Sequence, residues 1–282
     1  MGIESINWYP GHMKKTRELI QENLKLVDVV VELLDARIPF SSRNPIINDL
    51  VGNKTRIIVL NKSDLADPSI SKEWKTYLET ESTSVLILDS MHGSGVKELL
   101  KHMERLQDKI NEGRVRKKNL RFMIVGVPNV GKSSLINRLT RRKAAKTGDK
   151  PGVTKGKQWL TLKNGMQLLD TPGILWPKFE DPNVGVALAY CGSIKDEILD
   201  KETLALNLIE LLGNEYPNLL MERYKLEELS EVPLENMDNI ARKRGFIQSG
   251  NRIDYERCAR TVLDEFRAGT VGRITLEKPN VD

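Results

Sequence analysis

The sequence predicts an α/β fold: a largely parallel sheet with helices on both faces, followed by a small helical domain. Three observations predict it. Short runs rich in Val, Ile and Leu alternate with amphipathic segments of helical length up to Asp170. The glycine-rich string G-V-P-N-V-G-K-S at 126–133 lies between one such run and a helix-compatible segment. After Pro177-Lys178 the strand-like runs give way to helical patterns, which sets a boundary near 178 and units of 1–178 and 179–282.

In chain order, Lys14–Leu26 carries Leu19, Ile20, Leu24 and Leu26 at helical spacing. Val27–Leu34 (V-D-V-V-V-E-L-L) is a strand that ends at Asp35. Thr55–Leu60 (T-R-I-I-V-L) is the next strand and runs into Asn61-Lys62-Ser63-Asp64, and Ser84–Leu88 ends at Asp89-Ser90-Met91. Val96–Ile110 puts Val96, Leu99, Leu100, Met103, Leu106 and Ile110 on one helical face. Leu120–Val125 predicts the buried strand before the glycine-rich string, and Ser133–Leu139 the helix after it. Lys157–Leu162 and Gly165–Leu169 fit a hairpin that turns at Lys163-Asn164-Gly165. Glu202–Leu212 and Asp254–Ala268 are helices of the C-terminal unit.

Gly126, Gly131, Lys132 and Ser133 fill every fixed position of G-x-x-x-x-G-K-[ST], the phosphate-binding loop. Its glycines let backbone N–H groups turn onto phosphate oxygens at a helix N-terminus, where the dipole favours negative charge. Lys132 is expected to reach the β- and γ-phosphates and the Ser133 hydroxyl to ligate Mg²⁺, with Asn129, Val130 and Ser134 completing the nucleotide-facing stretch. Asp170-Thr171-Pro172-Gly173 follows a strand-like run, so Asp170 is the expected second carboxylate beside Mg²⁺ and the Gly173 N–H senses the γ-phosphate. Between them, Pro151-Gly152-Val153-Thr154 places a Thr hydroxyl that ligates Mg²⁺ only while the γ-phosphate holds its loop closed.

Asn61-Lys62-Ser63-Asp64 identifies the base. A carboxylate accepts from both N1–H and the exocyclic amine of guanine, and adenine offers no such donor pair. Asp64 therefore selects GTP or GDP, supported by Asn61 and the Lys62 stem, while Ser90 and Met91 offer backbone contact to guanine O6. Read alone, Ser63 or Asp64 is a helix N-cap. After a strand, and in a chain with a phosphate loop, the guanine reading prevails.

In ordinary small GTPases the phosphate loop precedes the base-reading N-K-x-D; here the order is reversed. The motifs are complete but circularly permuted, which a domain with neighbouring surface termini tolerates. With N-W-Y-P-G-H-M at 7–13, D-A-R-I-P at 35–39 and G-R-I-T-L-E at 272–277, the whole chain resembles the permuted GTPases of the ribosome biogenesis GTPase A (YlqF) family. The resemblance implies a circularly permuted P-loop GTPase domain, a small helical RNA-binding domain, and a role in late assembly of the large (50S) ribosomal subunit.

Charge agrees with a polyanionic partner. Arg138–Lys157 holds eight Lys/Arg and one acidic residue, whereas Glu180–Asp238 holds four against fourteen. Arg141, Arg142, Lys143, Arg242, Lys243 and Arg244 are candidate rRNA contacts, and Arg252, Arg257, Arg260 and Arg267 make the last helical region basic too. Arg138–Lys157 flanks Thr154, so GTP is expected to fix these charges and hydrolysis, stimulated by the particle, to release them. Alternatives are an RNA-binding module in which hydrolysis is incidental, and a non-ribosomal GTPase.

The residue after D-x-x-G, a water-orienting Gln in many GTPases, is Ile174 here, so intrinsic hydrolysis is expected to be slow. His12 is the candidate to position the attacking water; its alternative is a cap or packing role at the first helix. Asn129 in P-N-V-G-K-S resembles the Asn of potassium-activated GTPases and predicts K⁺ as an activator. Asp35 and Arg37 either support the D-T-P-G loop or pair with each other. Two cysteines without metal-like spacing fit a reducing cytoplasm, no apolar run suits a membrane span, and a monomer is expected.

Overall fold

The computed structural model describes residues 18, 20–52, 54–140, 158–162, 164–170, 181–194 and 200–279. The apolar runs form β1 (Val29–Asp35), β2 (Thr55–Asn61), β3 (Thr83–Ile87), β4 (Arg121–Gly126), β5 (Gln158–Thr161) and β6 (Gln167–Asp170). They lie in one sheet in the order β3-β2-β1-β4-β6-β5, parallel throughout except for the antiparallel β5–β6 hairpin at one edge. β1 is central and buried along its whole length, which is why it reads as a continuous apolar run and not as an alternation.

Side chains on opposite faces of the pleat enter different clusters. Val29, Val31 and Leu33 pack with Phe122 and Ile124, while Val30 packs with Met123, Val125 and Leu169. The first face is covered by α3 (Val96–Asn111), whose Val96, Leu99 and Met103 are buried, and by α4 (Lys132–Thr140) through Leu135, Ile136 and Leu139. The second is covered by α1 (Pro45–Val51), by α2 (Pro68–Leu78) through Trp74 and Leu78, and by the helical residues 20–24. That first helix ends earlier than its spacing predicts: Ile20 and Leu24 are buried, but Leu26 lies in the turn after it and is 42% exposed. α2 is capped by Asp67, whose carboxylate accepts from the Ser69 and Ile70 amides, so Ser63 and Asp64 are not its caps.

One acid departs from the pattern. Glu32 is buried in the middle of β1; no hydrogen bond reaches either of its oxygens, and Arg56 Nη1 stands 3.4 Å away.

The C-terminal part contains α5 (Pro182–Tyr190), α6 (Lys201–Glu215), α7 (Pro217–Tyr224), α8 (Pro233–Arg244), the small hairpin β7 (Ile247–Gln248) and β8 (Arg252–Ile253), and α9 (Tyr255–Arg267). α9 buries Cys258, Ala259, Val262, Leu263 and Phe266, the i, i+4 stripe of an amphipathic helix, against the Leu-rich face of α6. These helices share one apolar cluster with the sheet, and the predicted boundary at 178 falls outside the described residues. After α9 the chain returns to the sheet as an irregular strap over 271–278, where Ile274 N donates to Leu65 O at 2.9 Å and Leu276 N to Arg37 O at 2.8 Å.

Candidate functional site

Parallel strands send their carboxyl ends to one edge, and ligands of such sheets bind there, where the chain departs in opposite directions from adjacent strands. β1 continues to β2 on one side and has β4 on the other. The loops after β1, β2, β3 and β4 therefore meet around this point, together with Asp170 at the end of β6.

The turn from β4 into α4 depends on two glycines. A Cβ on Gly126 would stand 2.6 Å from Leu33 O, and one on Gly131, at φ +101°, 2.2 Å from Asn61 Nδ2. Lys132 opens α4, and its buried Nζ donates to the carbonyls of Gly126 (3.1 Å) and Val127 (2.9 Å). Burial pushes its ammonium down to about 8, against the opposing pull of Asp170. Asp170 is buried, in register with Ile124 of β4, on the strand beside the loop. The Ser133 hydroxyl and the Asp170 carboxylate are hard oxygen donors, the set that suits Mg²⁺.

Asn61 ties the loops together. Its Nδ2 donates to Val130 O at 2.6 Å and Ser90 Oγ at 3.0 Å, and its Oδ1 accepts from Ser90 N at 3.0 Å. The Asn61-Lys62-Ser63-Asp64 segment and the glycine-rich loop thus meet through one buried amide, although 69 residues separate Asn61 from Val130. Lys62, at φ +60°, places Nζ 2.9 Å from Asp35 Oδ2, and Arg37 closes on the same carboxylate with Nε at 2.9 Å and Nη2 at 2.8 Å. Burial raises the Asp35 carboxyl, but Arg37 and Lys62 outweigh it and hold it well below the usual carboxylate range. Asp35 and Arg37 pair with each other, while Thr171–Gly173 of the D-T-P-G loop lie outside the described residues.

The loop after β3 is closed from within. Asp89 Oδ1 accepts from Met91 N (2.7 Å) and His92 N (3.0 Å), and His92 Nδ1 lies 2.6 Å from Asp89 Oδ2. The same ring nitrogen is 3.8 Å from Asp64 Oδ2, so an imidazole borders the Asp64 carboxylate. Arg138 reaches this loop from α4, donating to the carbonyls of Ser90 and Met91. Arg138, an exposed member of the basic run, thus also tethers this loop. His92 and Arg138 are contacts that sequence reasoning missed; the Asp-x-x-His spacing after a strand is the one signal that pointed to the first.

Asn129, at φ +58°, donates from Nδ2 to Gly192 O at 2.7 Å, which joins the phosphate loop to the turn after α5. Arg242 and Lys243 are exposed at the end of α8; Lys243 Nζ is 3.8 Å from Glu227. Arg244 instead bonds Glu265 at 2.7 Å and lies over the Tyr224 ring, and Arg267 donates to Ala189 O and Tyr190 O. Val130 is buried, and Ser133 and Ser134 lie in the first turn of α4. His12, Arg141, Arg142, Lys143, Thr154, Gly173 and Ile174 lie outside the described residues. Among the described residues no helix is long and apolar enough to cross a membrane, and both cysteines are buried and free.

Comparison with known proteins agrees with this geometry. A family model described as 50S ribosome-binding GTPase matches residues 121–236, starting at the strand that leads into the phosphate loop. Ribosome biogenesis GTPase A of Priestia megaterium is 46% identical over 281 residues, covering 98% of this chain and 98% of that protein. The protein of the same name from Bacillus cereus is 45% identical, covering 97% of this chain and 94% of its own length. A GDP-bound structure of YlqF superposes with a TM-score of 0.69 at 30% identity, over 93% of this chain and 99% of that one.

Proposed function

This chain belongs to the ribosome biogenesis GTPase A family, and we propose that it acts as a GTP-driven assembly factor for the large ribosomal subunit. It docks on a precursor of that subunit through rRNA, in the GTP-bound form, and leaves when the particle stimulates hydrolysis. The observation that carries this reading is the Asn61 amide, which makes the N-K-S-D loop and the phosphate loop walls of one site.

In this reading Asp64 accepts from guanine, Asn61 and Lys62 hold its loop, and Ser90 and Met91 border the base. Lys132 moves its ammonium from the carbonyls of Gly126 and Val127 to the β- and γ-phosphate oxygens. Ser133, Asp170 and Thr154 would hold Mg²⁺, which supplies charge compensation to the phosphates. The Gly173 N–H reads the γ-phosphate and His12 orients the water. Asn129 would hold K⁺, which would offset charge beside the phosphates, while its Nδ2 keeps the bond to Gly192 O. Arg141, Arg142 and Lys143, with the exposed Arg242 and Lys243, meet the rRNA backbone; Arg244 holds the end of α8 in place behind them. The catalytic domain is 1–178 and the helical RNA-binding domain 179–282, in a cytoplasmic monomer.

The test is GTP hydrolysis with and without purified large subunits and subunit precursors, in K⁺ and in Na⁺ buffers. Strong stimulation that requires K⁺ is expected, and His12→Ala should lower the stimulated rate without changing GTP affinity. No stimulation by either particle would reject the ribosomal role, and equal rates in the two salts would remove K⁺ from it.

A further inference from the structure

The turn that carries Asp64 is held on its carbonyl side by a segment from the far end of the chain. Arg273 donates from Nη2 to Ser63 O at 2.7 Å and from Nε to Ala66 O at 3.0 Å. These carbonyls flank Asp64 on either side, so one planar guanidinium spans the residue that faces the base. Ile274 N takes the Leu65 carbonyl between them at 2.9 Å. Thr275 Oγ1 then accepts from Asp67 N at 3.0 Å, which fixes the point where the turn enters α2.

The strap is itself anchored on both sides. The Glu277 carboxylate accepts from Phe40 N (2.7 Å) and Ser41 N, and Glu277 O accepts from Trp74 Nε1 at 2.8 Å. Toward the helices, Tyr216 OH donates to Thr275 O at 2.7 Å. Gly269, at φ +72°, packs so closely that a Cβ there would lie 2.6 Å from Leu65 Cδ2. A turn with Ser63, Leu65, Ala66 and Asp67 all tied to one external segment cannot swing the Asp64 backbone without breaking that segment's bonds.

We propose that Arg273 is a positioning residue for guanine recognition: by bridging the carbonyls of Ser63 and Ala66 it sets the aim of the Asp64 carboxylate, so the C-terminal strap is part of the base-specificity apparatus. This rests on the assignment of Asp64 as the guanine-reading group. Bidentate recognition fails with small errors of angle, and a loop held only by its own turn bond is less well aimed than one braced from outside. Because the base is common to GTP and GDP, the brace acts in both nucleotide states and keeps the helices fastened to the base loop throughout the cycle.

The experiment compares dissociation constants for GDP and IDP, which lacks the exocyclic amine, in full-length wild type, Arg273→Ala, Arg273→Lys and Asp64→Ala. Loss of the bridge should lower the preference for GDP over IDP about tenfold in Arg273→Ala, the size expected for one charge-assisted interaction. Arg273→Lys, whose ammonium is a point donor, should recover part of that preference. Asp64→Ala should abolish it. If Asp64→Ala keeps the wild-type preference, the base assignment is at fault. If Asp64→Ala loses the preference while both Arg273 variants keep it, or weaken GDP and IDP by one common factor, the positioning role is overturned. Should Arg273→Ala fail to fold, the comparison of Arg273→Lys with wild type decides in the same way.

Discussion

Glu32 sits where its charge is expensive. Burial raises its carboxyl pKa and outweighs the nearby Arg56 guanidinium, whereas the unfolded chain keeps the ordinary Glu value. Its contribution to stability is therefore fully present below that ordinary value and is lost as pH rises through the folded one. Glu32→Gln is expected to raise the melting temperature at pH 8, by about 1–2 kcal/mol of stability, and to leave it near wild type at pH 4. Circular-dichroism melts at the two pH values check this; destabilisation at pH 8 would mean that the Arg56 pair dominates. Residues of this kind divide by how local their chemistry is. Lys132, Ser133 and Asp64 stood out as candidates because their motifs are short strings with fixed spacing. His92, Arg138 and Arg273 were not, because each acts on a loop brought to it by the fold, and an isolated Arg or His carries no sign of its partner.

The phosphate loop shows what an element requires beyond its motif. Gly131 holds φ +101° with the Asn61 amide where a Cβ would go, so Gly131→Ala must both strain the backbone and push apart two loops. GDP affinity measured by fluorescence titration is expected to fall by at least about a hundredfold, from roughly 3 kcal/mol of strain and lost contact. Affinity within a factor of two of wild type would show that the loops part without cost. Among elements, the central strands were the most legible, since burial on both faces leaves a continuous Val/Ile/Leu run, and their ends differ from expectation by one or two residues. The short α1 and α7, and α8 with only Met237, Ile240 and Ala241 as its apolar stripe, were illegible for the opposite reason. Too few turns carry the period for it to stand out from the background.

Across the whole molecule one buried cation joins the sheet to the helices. Arg37 pairs with Asp35, donates to Arg267 O at 3.4 Å and lies 5.4 Å from the Phe266 ring centroid. Arg37→Ala would leave the buried Asp35 carboxylate with Lys62 as its one cation beside the backbone N–H of residue 37, and is expected to cost about 3–5 kcal/mol in urea unfolding. Arg37→Lys should not restore it, because a point charge cannot fork onto both carboxylate oxygens. A loss below about 1 kcal/mol would mean that the pair is replaceable, as some buried pairs are. At this scale the permuted order of motifs disclosed the sheet and its site, while the junction stayed hidden. The Arg37–Arg267 contact spans 230 residues, and nothing in either neighbourhood announces the other.

The strap also has a consequence in time. The carbonyls of Ser63 and Ala66 wait for a guanidinium made 210 and 207 residues later. At usual elongation speeds that interval is on the order of ten to forty seconds. Strands β1 to β3 emerge first with an unbraced base loop, and the phosphate loop follows well before the brace. If Arg273 aims Asp64 as proposed, a nascent chain that already carries both motifs meets purine nucleotides before it can discriminate among them sharply, and selectivity arrives only with the strap.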